Sequence, residues 1–320
     1  MSVTRDEVIL AYKLILGREA ESEDVIRAAM SAADLQVLRT RFLDSREFRE
    51  RSDEAPTHLP VLPVVLPRLD IDTDATDQEM AAAIRKIKIA WTHLGRARPH
   101  HSVLTHSDYL PENFGETSQE LFWASGRQQA DSVTRLLGSL LFGNPGNKTC
   151  VDYGCGVGRI SAPLALKFRK VHGYDISSTH LALAAERARA LGIGNLVLHE
   201  CSDDLLLPLE ACDLFYSKLV FQHNPPIIIA RLLRNALWAL RPAGIAIFQL
   251  LTYRVGYRFK TREWLAASHA LDMQMHCIPQ ETVFRIILEN GCVVLQVRED
   301  NSAGLRDVFL SNVFVVRKPD

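Results

Sequence analysis

The segment VDYGCGVGR, residues 151–159, follows an apolar lead-in and sets glycine at 154, 156 and 158. Glycines so closely spaced let a backbone turn tightly and let a ligand reach main-chain atoms that a Cβ would shield. Polar residues recur where later strand patterns end. Asp175 closes VHGYD, Ser202 and Asp203 follow NLVLHEC, and Ser217, Lys218, Gln222 and His223 follow CDLFY. A carboxylate at the end of a second strand can accept both hydroxyls of a ribose, and ligands of such sheets bind outside the carboxyl ends of the strands. Together with Asp152, these positions suit a nucleoside. His223 has the side chain whose ordinary pKa, about 6.5, best suits proton transfer near neutrality, and it is the candidate general base. Tyr253 and His276 are candidates for an acceptor pocket, and Phe122 and Trp123 for a lid. Simpler roles stay open at several positions. Asp152 fits a cap of the turn, Asp203 a helix cap, His223 a turn histidine bonded to backbone, Lys218 a solvated charge, and the aromatics a core.

A dinucleotide site would need G-x-G-x-x-G, the third glycine allowing helix and strand to pack closely. Counting from Gly154, the sixth position is Arg159, which argues against a diphosphate ligand. Asn224-Pro225-Pro226 looks like a nucleic-acid amino-methylation element, but Ser217 holds the place where that element would close the strand. The Asn-Pro pair reads as a helix start, with Asn224 as cap and Pro225 as first residue, in a helix running to 240.

Positioning these residues requires alternating strands and helices. Strands are expected at KTCVDY, KVHGYD, NLVLHE, CDLFYS and GIAIFQL, and helices at 160–169, 179–191 and 279–290, with Ser177 capping the second. CVVLQVRE and VFLSNVFVVRK have no helix between them and read as an antiparallel hairpin at one edge. The alternation predicts an α/β fold, a doubly wound, mostly parallel Rossmann-like sheet of seven strands with an antiparallel edge. Ahead of it, residues 1–52 read as a small helical module ending its first helix at Gly17, which buries too little alone and should dock on something. Residues 53–76 hold repeated prolines and read as a linker. Residues 77–147 read as a helical cap with a His- and aromatic-rich loop, its first helix closing at Leu94-Gly95.

Composition narrows the class. Of 320 residues, 47% are hydrophobic and 23% charged, with a net charge of −1, so no basic surface points to nucleic acid. No apolar run approaches the ~18 residues of a membrane span, and the N-terminal pattern is an amphipathic helix rather than a signal peptide. Cys150, Cys155, Cys201, Cys212, Cys277 and Cys292 form no CxxC pair and are expected to be reduced, packed thiols of a cytoplasmic protein. His100, His101 and His106 show no metal-ligand spacing, and no metal is expected.

VDYGCGVGR, GYDIS, CDLFYSKLVFQH and LRPAGIAIFQ together resemble the motifs of class I S-adenosylmethionine-dependent methyltransferases, with Ala243 in place of the first glycine of L-x-P-G-G. The stretches around WTHLGRARPHHSVLTH, FWASG and MQMHCIPQ resemble one bacterial subgroup with poorly characterised acceptors. Residues 5–50 resemble a small helical module of unknown function. The resemblance implies an enzyme that uses S-adenosylmethionine and methylates a hydroxyl of a small molecule or glycan by in-line displacement, assisted by a base. Methylation of nitrogen or carbon in a small metabolite, and a non-catalytic cofactor-binding regulator or scaffold docking through residues 1–52, are the alternatives. The implied cofactor contacts are Asp152, Tyr153, Gly154, Cys155, Gly156, Gly158, Asp175, Ile176, Ser202, Asp203 and Ser217. Asp175 would hold the ribose, Ile176 would flank the adenine, and Asp152 would meet the amino group through water. His223 and Tyr253 are the implied catalytic residues.

Overall fold

The structure, a computed structural model, describes the chain except residues 1, 2, 17, 44, 46, 48–66, 202–209, 269, 270, 301 and 305–307. Gly17, Ser202, Asp203 and most of the expected linker therefore lie outside the described residues. The chain divides into two compact units, Met1–Pro63 and Val64–Asp320.

The first unit has helices Arg5–Ile15, Glu23–Ala29 and Leu35–Leu43. Thr4 and Glu7 form a reciprocal capping box on the first, and Ser22 caps the second. Val8, Tyr12, Leu16, Ile26, Leu38 and Phe42 are buried together, and the Tyr12 and Phe42 rings meet edge to face at 4.8 Å. These helices thus bury a shared apolar set among themselves.

The second unit is built on a seven-stranded sheet in the order β4-β3-β2-β5-β6-β9-β8. Its strands are β2 (Thr149–Tyr153), β3 (Lys170–Asp175), β4 (Leu196–Glu200), β5 (Cys212–Ser217), β6 (Leu240–Arg254), β8 (Val293–Asp300) and β9 (Phe309–Arg317). The first five in the order run parallel, while β9 is antiparallel to both β6 and β8. The expected hairpin is therefore present, with its second strand inserted between β6 and the edge. A separate two-residue pair joins β1 (Asp70–Ile71) to β7 (Arg258–Phe259), so part of the expected linker is paired strand.

Both faces of the sheet are apolar because both are covered. Val151, Tyr153 and Phe215 enter one core, and Cys150, Leu214 and Tyr216 the other. Helix Pro226–Ala239 is buried on nearly every side. It packs against helices Asp77–Ala97 and Gln280–Glu289. Met80, Ala83, Ile84 and Ile87 give Asp77–Ala97 a buried stripe at helical spacing.

Several expected boundaries shift for local reasons. Gly95 does not end its helix, which continues to Ala97. A Cβ at Gly95 would stand 2.2 Å from Ser177 Oγ, so this glycine permits close packing over the start of helix Ser178–Ala190. Asn224 does not cap the following helix. Pro225 holds the cap position, and Asn224 Nδ2 instead donates to the Val220 carbonyl at 2.9 Å. The helix expected over 160–169 is limited to Ser161–Ala165. Ser177 does cap its helix, accepting from His180 N. All six cysteines are buried and unpaired, and no described helix is long and apolar enough to cross a membrane.

Candidate active site

Parallel register brings three strand ends to one edge: Tyr153 lies beside Tyr174, and Asp152 beside Tyr216. The chain leaves the sheet there at Gly154, Ile176 and Lys218, around a cavity with about 820 Å³ of empty space, part of it open to solvent. The cap completes the wall with Ile87, Trp91, Ser102 and Val103.

The three glycines have φ of 75°, 54° and 79°, a left-handed region that residues with a Cβ adopt only with strain. Each also meets a neighbour. A Cβ on Gly154 would lie 2.2 Å from Val220, on Gly156 2.6 Å from Val103, and on Gly158 3.1 Å from Ala184. Gly158 thus provides the close helix contact despite its shifted spacing, and Gly154 and Gly156 leave bare backbone against the cavity.

Asp175 is buried and its carboxylate is fixed by backbone. Gly156 N donates to Oδ2 at 2.8 Å and Ser177 N to Oδ1 at 2.9 Å. A carboxylate has about four acceptor positions, so capacity for two hydroxyls remains. His180 stands behind it, with Nδ1 3.5 Å from Asp175 Oδ1 and Nε2 3.0 Å from Ser102 Oγ of the cap. Asp152 accepts from Ser161 Oγ. Burial raises its carboxyl to a pKa of about 6, opposed by that hydrogen bond and by Arg159.

The β5 side is wired differently. Leu219 has φ 61°, and its N–H donates to Gln249 Oε1 at 3.0 Å. Gln249 Nε2 donates to Gln222 Oε1 at 2.9 Å and to Ser311 Oγ at 2.7 Å, so one buried amide on β6 ties down the strained loop after β5. Lys218 is not a solvated charge. It lines the cavity, donates to Gln129 Oε1 at 3.3 Å, and has its pKa lowered by burial first and by Arg159 as well.

Of the expected contacts, Asp152, Tyr153, Gly154, Cys155, Gly156, Asp175 and Ile176 line the cavity. Gly158 shapes the turn from behind. Ser217 does not line it, because its hydroxyl donates to the Tyr153 carbonyl at 2.9 Å. His223 does not line it either. Its Nδ1 lies 3.0 Å from the Gln274 carbonyl, its Nε2 3.3 Å from Gln222 Nε2, and its ring packs edge-on to Trp91 at 5.4 Å. Burial lowers its pKa. Both nitrogens are engaged, which matches the backbone-bonded histidine and leaves no free base. Tyr253 is buried outside the cavity wall, as are His276, bonded to the Tyr257 hydroxyl at 2.7 Å, and Phe122, which packs among His100, Tyr109 and Trp123. Trp91, Ser102, Val103, Arg159, His180 and Asn224 line the cavity without having been singled out for it. Trp91 shares a helix face with Ile84 and Ile87, and that face was readable; what it would cover was not.

Strand order, glycine turn and acidic second strand define a class I methyltransferase fold. Residues 150–244 match the family model described as a methyltransferase domain, so this segment is a methyltransferase domain. No curated protein matches the chain. Among solved structures, magnesium protoporphyrin IX methyltransferase from Synechocystis with bound S-adenosylhomocysteine is 18% identical, covering 73% of this chain and 99% of its own, with a TM-score of 0.52. The 1,6-didemethyltoxoflavin N1-methyltransferase of Burkholderia thailandensis, with its substrate and S-adenosylhomocysteine, is 19% identical over 81% of this chain and 94% of its own, with a TM-score of 0.51. These likenesses concern the fold.

Proposed function

We propose that the chain transfers the methyl group of S-adenosylmethionine to a small-molecule acceptor, a hydroxyl-bearing metabolite or glycan being the first class to test. The carrying observation is the Gly154–Gly156 backbone facing a cavity that also holds the Asp175 carboxylate. The residues fit this donor: a Cβ at either glycine would collide with Val220 or Val103 of the cavity wall, so only bare backbone fits there, and Asp175 keeps unused acceptor positions. Asp175 would hold the ribose hydroxyls, Ile176 would flank the adenine, and the backbone at Gly154 and Gly156 would receive the amino-acid arm, with Asp152 toward its ammonium. The donor supplies a methyl on a sulfonium, already a good leaving group. The protein's task is then placement and exclusion of water, and placement can supply roughly 7–11 kcal/mol of barrier reduction. A positioned base adds about 10²–10⁴-fold. His223, with both nitrogens engaged, would tie Gln222 to the Gln274 backbone rather than take a proton.

Incubation with methyl-labelled donor and a cell extract tests the reading. A labelled small molecule should form with the native chain and be lost in Asp175→Ala. Donor binding without any labelled product would favour the regulator reading, and a labelled nitrogen or carbon would move the acceptor class.

A further inference from the structure

We infer that Arg159 and Lys218 form a recognition site for an anionic group of the acceptor, a carboxylate or phosphate, so that the acceptor is an acid. The inference rests on the methyl-transfer reading and names its substrate class. Both side chains line the cavity. Arg159 is only 7% exposed, held there because Gly126 lets helix Glu116–Ser139 settle on it. A Cβ at Gly126 would stand 2.0 Å from the Arg159 carbonyl. Its Nη1 donates to Ser125 Oγ at 3.0 Å, its guanidinium lies 5.9 Å from the Phe122 ring centre, and its Nε has no partner. Lys218 has the Gln129 amide oxygen. Among the described residues no carboxylate lies within ion-pair distance of either cation. The acids that act on them, Asp152 on Arg159 and Asp300 on Lys218, do so from farther away.

A buried guanidinium and a half-buried ammonium that it depresses, neither with a carboxylate at ion-pair distance, are an unfavourable arrangement, which a bound anion relieves. Arg offers a planar fork and Lys a point charge, a combination suited to carboxylate or phosphate oxygens. Placement assigns the anion to the acceptor. In the strand order, β3 and β5 flank β2 on opposite sides, so Lys218 lies across the glycine turn from Asp175 and the donor's nucleoside. Lys218 also lines a second hollow of about 620 Å³ with Gln129, Ser132 and Arg298, and it is the one described residue the two spaces share. An acceptor can thus reach it without crossing the donor's seat.

The test is calorimetry on the full chain. S-adenosylhomocysteine is titrated first, and then acetate, benzoate and inorganic phosphate into the saturated protein, with phenol as the uncharged control. At least one anion should bind where phenol does not, and Lys218→Met should weaken it by about tenfold or more while Lys218→Arg stays within about threefold. Affinity for S-adenosylhomocysteine should change less than about twofold in either variant, which also reports that they fold. Anions that bind no better than phenol, or equally well to Lys218→Met, overturn the inference. So does a loss of about tenfold or more for S-adenosylhomocysteine itself in Lys218→Met, which would give the pair to the donor's own carboxylate. Failure of the native chain to bind S-adenosylhomocysteine would remove the methyl-transfer reading first, a result distinct from the others.

Discussion

On the β3 side of the glycine turn, both oxygens of Asp175 are already bonded to backbone amides. On the β5 side, Arg159 Nε has no partner and Lys218 holds a single amide oxygen. The first side is assembled from groups near one another in the chain, Gly156, Asp175 and Ser177. The second draws on Ser125, Gln129, Arg159, Lys218, Gln249 and Ser311, brought together only by the fold. A seat whose carboxylate is held in place by backbone suits a ligand of fixed shape; one that keeps charge uncompensated awaits a partner that supplies it.

That contrast can be broken at its strongest point first. Gln249→Leu would leave Leu219 N–H and Gln222 Oε1 without partners, while Ser311 keeps Asp300 and Gln222 Nε2 keeps His223, and should destabilise the fold by about 2 kcal/mol while sparing the Asp175 seat. Urea unfolding showing less than about 1 kcal/mol of loss would mean the β5 loop does not depend on this amide. Asp152 lies beside both halves and should have an effect no larger. Its folded pKa, about 6, lies above the roughly 3.9 of an unfolded aspartate. The native state therefore binds the extra proton between these values, and this group's contribution to stability falls as pH rises through that window. Asp152→Asn should flatten the profile and add about 2 kcal/mol near neutral pH, at the expense of donor affinity. Melting temperatures that follow pH identically in both proteins would contradict this. The smallest effect belongs outside both halves. Ala243 is exposed and has φ 58°, a conformation costing an L-residue about 1–2 kcal/mol. Ala243→Gly should stabilise by up to about 1 kcal/mol without altering ligand binding, and a lower melting temperature would refute the strain.

The same contrast explains what the sequence made legible. VDYGCGVGR and GYDIS carry the β3-side seat because local spacing creates it, and hydrophobic alternation sufficed for the strands. Lys218 looked like a solvated charge because the helix that covers the site lies about ninety residues earlier in the chain. His223 looked like a base because its position after the strand was visible, while the Gln274 carbonyl that engages it was not. Gln249 left one trace, a single amide inside the apolar run GIAIFQLL, and an amide buried there must find hydrogen-bond partners.

The central claim is that a sulfonium nucleoside is seated between the glycine backbone and Asp175, and titration of S-adenosylhomocysteine into the native chain and into Asp175→Ala tests it most directly. The account predicts saturable one-to-one heat for the native chain and an affinity about tenfold to a hundredfold weaker for the variant, from lost charge-assisted hydrogen bonds. Equal affinity in the two proteins, or no heat in the native one, would contradict it.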